Sequence, residues 1–149
     1  MKMSNDRRAT FLFYPPTDRA NAWHMSFDNF RAALERAFPD AFTRLMPTSF
    51  RGGSYLEFEV ATPDDPGLRG IATIPVEECG CVTLTDAAPI DAAYIAHWLR
   101  DTFVPSPDLI RFSSEAALEI GDESHWELPA VGDTAIIEAA LREHLEAVE

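Results

Sequence analysis

A chain of 149 residues with 46% hydrophobic and 25% charged side chains has the make-up of one folded domain, not of a disordered, collagen-like or disulfide-stapled chain. Its 25 acidic and 12 basic residues leave a net charge of −13, which repels phosphate and argues against a nucleic-acid partner. No apolar run reaches the roughly 18 residues of a membrane span, and the polar start Met1 to Arg8 lacks the apolar centre of a secretory signal, so no membrane partner and a cytoplasmic location are expected.

Residues 1–8 are expected to fray, with a single domain over residues 9–149. Thr10-Phe11-Leu12-Phe13-Tyr14 is a short apolar and aromatic run stopped by Pro15-Pro16, and it reads as a strand. Ser26 then stands before Phe27, Phe30, Leu34 and Phe38, a spacing that predicts an amphipathic helix with a serine cap and a stop at Pro39. Asp40 to Pro47 is readable as an irregular extension of that helix through Phe42 and Leu45. After turn material at Arg51 to Ser54, the segment Tyr55 to Val60 alternates strictly, the mark of a half-buried strand with Leu56, Phe58 and Val60 inward and Tyr55, Glu57 and Glu59 outward. A turn over residues 62–67 leads to strand-like runs at Arg69 to Val76 and Cys81 to Thr85, which complete a three-stranded meander.

Pro89 to Val104 predicts a second helix, with Ala92, Ile95, Leu99 and Phe103 at helical spacing and Pro105 and Pro107 beyond it. Leu109 to Phe112 and Ala116 to Ile120 read as two further short strands, although Ser113-Ser114-Glu115 also suits the start of a helical turn. Gly121 to Gly132 is a polar loop, and Asp133 caps a last helix striped with Ile137, Leu141, Leu145 and Val148. Strands and helices do not alternate along the chain. The expectation is therefore an α+β domain: a mostly antiparallel sheet of five or six strands, three helices mainly on one face, and the other face open.

The charge is unevenly laid out. In residues 1–74 nine acids cancel nine bases, whereas in residues 75–149 sixteen acids stand against three bases and carry the whole excess. Cys79-Gly80-Cys81 supplies two thiols and His24, His97, His125 and His144 are scattered, so no metal centre is expected. No phosphate loop, dinucleotide fingerprint or nucleophile elbow occurs, and neither a cofactor nor a catalytic residue is assigned. Tyr94 and Trp98 lie one helical turn apart, a spacing that for an aromatic pair more often marks the edge of a core than a ligand platform; His97 and Asp101, also one turn apart, lack an evident nucleophile, since nothing in the spacing selects Ser106, Ser113 or Ser114.

Two groups remain as candidates for binding a partner. Glu57 and Glu59, two apart on a strand, share a face with Tyr55 at about 6–7 Å spacing. In the loop from Gly121 to Pro129, His125 and Trp126 sit among Asp122, Glu123 and Glu127, an apolar anchor ringed by charge, as interface hot spots are built; the alternative is that Trp126 plugs the core beneath the last helix. The expected function is a non-catalytic protein-binding module, in the manner of an immunity or inhibitor protein, whose acidic second half binds a basic protein. One alternative is a structural, self-associating domain that forms a homodimer through open sheet faces or edges. Another is a small enzyme or ligand binder drawing on Glu57, Glu59, His97, Asp101 or His125.

Overall fold

The alternation at 55–60 and its neighbours is realised as one antiparallel sheet in a computed structural model that describes residues 7–47, 53–76, 79–122 and 124–148. Its strands are β1 (Ala9–Tyr14), β2 (Phe42–Pro47), β3 (Ser54–Thr62), β4 (Asp65–Val76), β5 (Cys79–Ala87), β6 (Arg111–Ser114) and β7 (Trp126–Glu127), in the spatial order β2-β3-β4-β5-β1-β6-β7. The first strand in the chain thus lies inside the sheet, between β5 and β6.

Helices α1 (Phe27–Ala37), α2 (Pro89–Trp98) and α4 (Thr134–Ala147) cover one face, and a single short turn of helix, α3 (Glu115–Glu119), follows β6 directly. Toward the helices point Phe11 and Phe13 of β1, Leu56 and Phe58 of β3, Val82 and Leu84 of β5 and Phe112 of β6, all buried. Close layering requires Gly70 on β4, where a Cβ would stand 2.4 Å from Cζ of Phe58 and 2.8 Å from the carbonyl oxygen of Thr83. Gly80 makes the same kind of room for Met25 and Trp23, and the Trp23 indole N–H donates to the Leu109 carbonyl at 2.6 Å.

The helix ends follow their sequence signals. Ser26 accepts from the Asn29 backbone N–H at 3.0 Å while the Asn29 side chain accepts from the Ser26 N–H at 2.9 Å, a reciprocal cap. Asp133 accepts from the N–H groups of Ala135 and Ile136 at the start of α4. Pro89 opens α2, which runs beyond Trp98 into a wider turn over Leu99–Phe103, closed by the Val104 N–H on the Leu99 carbonyl. From that turn the buried Arg100 donates to the carbonyls of Pro129 and Gly132 at 3.0 and 2.7 Å and so anchors the chain leading into α4.

The α+β class, the antiparallel sheet and the placement of the helices on one face are as the sequence leads one to expect; the sheet has seven strands instead of five or six. Asp40 to Pro47 does not extend α1 but contains β2. Residues 116–120 are not a strand: Ser114 caps α3 by accepting from the Ala117 N–H. The loop of residues 121–132 holds the two-residue β7, and β4 begins at Asp65, inside the stretch read as a turn.

Candidate interaction surface

The face of the sheet away from the helices carries the odd-numbered residues of β3, β4 and β5 and the even-numbered ones of β2 and β1. The strand register sets Arg44, Glu57, Ile71, Thr83, Leu12 and Ser113 in one row across it, because each pairs with the next. Tyr55, Glu57 and Glu59 lie on this face as their alternation requires. Both glutamates are engaged: Arg44 Nη2 meets Glu57 at 2.9 Å and Arg69 Nε meets Glu59 at 3.8 Å. Such exposed pairs contribute at most about 1 kcal/mol each, but they neutralise this end of the face. A shallow depression of about 350 Å³ lies there, lined by Phe42, Glu57, Glu59, Arg69 and Ile71.

A second depression, of about 380 Å³, lies at the other end of the same face. Leu12, Tyr14 and Ser113 are its floor, Leu118 of α3 stands beside it with 55% of its surface exposed, and Asp122, Ser124 and His125 form the rim. Tyr14 Oη and His125 Nδ1 are 3.1 Å apart, with the two rings edge to face. Burial, then the nearby Cys81 and Asp122, push the Tyr14 phenol above its ordinary value, so it stays protonated. Hydrogen bonds from Ser124 hold the Asp122 carboxyl below the usual carboxylate range; the Ser124 N–H donates to it at 2.8 Å. The site therefore presents a fixed negative charge beside an apolar floor.

The loop residues singled out in the sequence divide between two sides. Asp122 and His125 come to the rim of this depression, and Glu127, opposite Arg111 in the ladder, shares its face. Trp126, opposite Phe112, turns to the helix side, where it packs on Phe112 and lies edge to face on His144 at 4.7 Å. The reading of Trp126 as a plug beneath the last helix is the one the packing realises. Glu123 lies outside the described residues. Tyr55, Glu57 and Glu59 stand at the opposite end of the sheet from Asp122 and His125, so the eight candidates do not form one cluster.

Sequence reasoning missed Leu12, Tyr14 and Leu118 as parts of a surface. The outward position of Leu12 and Tyr14 is implied by alternation with Phe11 and Phe13; Leu118 carries no such signal, because the strand assigned to it does not exist. It also missed that Ser114 and His144 meet, with Oγ and Nε2 2.8 Å apart. Both side chains are fully enclosed and the Ser114 hydroxyl already accepts from the α3 backbone, so the pair fastens α4 to the sheet and faces no substrate. Burial pushes the His144 imidazole below its ordinary value.

Of the acid–base candidates Glu57, Glu59, His97, Asp101 and His125, the two glutamates line one depression and His125 the other. His97 and Asp101, 3.1 Å apart, lie on α2 and the turn after it, away from both Glu57 and His125. Cys79 and Cys81 are free thiols whose acidity burial reduces, and among the described residues no three metal-ligating side chains come together. Among the same residues no helix is long and apolar enough to cross a membrane. Comparison with protein-family models, curated proteins and solved structures gives no match for this chain.

Proposed function

We propose that the protein is a non-catalytic protein-binding module, in the manner of an immunity or inhibitor protein, whose acidic second half captures a basic partner at the β1–β6 end of the open sheet face. The observation that carries this reading is the pairing, in one depression, of an exposed apolar group with a fixed carboxylate: Leu118 beside Leu12 and Tyr14, and Asp122 on the rim. An aliphatic or aromatic side chain of the partner enters between Leu12 and Leu118, and a flanking Arg or Lys meets Asp122. The long-range field of the −13 charge adds speed to the encounter, and salt screens it.

A displayed library of random peptides, selected on the purified protein, tests the reading before any natural partner is identified. The expected winners carry Arg or Lys next to an apolar residue, bind less well as salt is raised, and lose about tenfold or more in affinity to Leu118→Ser and to Asp122→Asn, the range for residues at the centre of an interface. Winners that are neutral or acidic, or that bind both variants as tightly as the parent, overturn it.

A further inference from the structure

The two edges of the sheet are not alike. At one, β7 is only two residues long, too short to template a further strand. At the other, β2 pairs with β3 through six consecutive positions without a shift, and it exposes Phe42 and Leu45 on opposite faces, 53% and 48% accessible. Its one charge, Arg44, is drawn back to Glu57.

Two residues show which peptide groups of β2 point outward. Proline has no N–H to give and is accommodated in an edge strand where that position faces solvent, so Pro47, and with it Leu45 and Thr43, turn their peptide groups away from β3. In keeping with this, the Thr43 carbonyl accepts from Arg31 Nη2 of α1 at 3.4 Å.

We propose that β2 pairs antiparallel with β2 of a second copy about a two-fold axis at Leu45, joining the two seven-stranded sheets edge to edge. In this register Leu45 meets Leu45, Arg44 meets Met46 and Thr43 meets Pro47. An outward-facing antiparallel pair exchanges two hydrogen bonds. The Thr43–Pro47 pair makes only one, since Pro47 has no N–H, and the acceptor left over is the Thr43 carbonyl that Arg31 already holds. An axis at Arg44 would set guanidinium against guanidinium, and an axis at Thr43 would require the carbonyl that Arg31 occupies.

Charge favours the same edge. Strands β2, β3 and β4 come almost wholly from the half of the chain in which acids and bases cancel, and the surplus acid belongs to residues 75–149. Two copies therefore meet at their neutral ends. The depression at the β1–β6 end stays open in such a dimer, so the inference stands apart from the proposed partner site.

Light scattering on the full chain, from low micromolar to submillimolar concentration, is expected to approach twice the 16.6 kDa chain mass. Leu45→Lys, which places two ammonium groups face to face at a half-exposed position, is expected to stay at one chain mass with an unchanged circular dichroism spectrum. Independently, Leu45→Cys combined with Cys79→Ser and Cys81→Ser is expected to cross-link on oxidation, because Cα atoms about 5.5 Å apart in such a pair are within disulfide reach. Thr43→Cys in the same background is expected not to. A single-chain mass at every concentration, a dimer that survives Leu45→Lys, or equal cross-linking at both positions overturns the proposal.

Discussion

His144 is enclosed by Phe112 and Trp126, bonded to Ser114 through Nε2, and its Nδ1 has no hydrogen-bond partner among the described residues. Desolvation holds its folded-state pKa below the ordinary imidazole value, with Asp122 opposing weakly. As pH falls from neutral, the unfolded chain takes up the proton first, so the stability this site confers is complete above about pH 6.5 and is lost as pH falls toward the lower folded-state value. Urea unfolding at neutral and mildly acidic pH is expected to show this loss, and His144→Phe is expected to lose less over the same interval. Asp101, Asp108 and Asp122 titrate below their ordinary range and act only at lower pH, with the same direction: their contribution disappears as they protonate. His144 was legible in one respect, since it stands one turn from Leu141 and Val148 on the stripe of the last helix. Its contact with Ser114 was not, because two residues 30 positions apart meet only once the sheet and α4 are docked.

At the scale of elements, those that follow local rules were readable and those that depend on a neighbour were not. The cap and stop of α1 are written into Ser26 and Pro39, and Ser26→Ala is expected to lower stability by about 1 kcal/mol in chemical denaturation, the usual worth of an N-cap. The alternation of β3 is a consequence of its central place, with one face under the helices. β2 has no such signature: as an edge strand it buries little on either face, and Phe42 and Leu45, three apart, imitate a helical spacing. α3 takes its start from Ser114, a cue present in the sequence but shared with a strand end. The contact of β4 with its neighbours is tight enough for a sharp test. Gly70→Ala forces the added carbon against the Phe58 ring and a backbone oxygen, and an overpacking cost of about 1–3 kcal/mol is expected in the same measurement.

Over the whole molecule, the uneven charge is legible in the sequence, but its relation to the sheet is not. The structure places the balanced half largely in β2, β3 and β4 at one end and the acidic half in β5, β6, β7 and the last helices. Trp126 shows the same limit, since only the ladder between β6 and β7 decides that it faces Phe112 and not the solvent side. Arg100 ties these parts together from inside the turn after α2. Arg100→Met removes two charge-assisted bonds to the carbonyls of Pro129 and Gly132, and hydrogen exchange is expected to speed up in residues 129–147 before it does in β3 and β4.

The interior place of β1 has a consequence for how the chain reaches this state. During synthesis β1 emerges ahead of every strand it will pair with, while β2 to β5 follow one another as a meander that needs only neighbouring pairings. Phe11 must wait for Leu84, and then for Ser114, before its two ladders exist. Such distant pairings slow folding, and the apolar β1 segment is open to other partners until they form. β1 therefore stays apolar and unpaired while β2 to β4 are made, and a chaperone that shields a nascent apolar strand would act on residues 9–14.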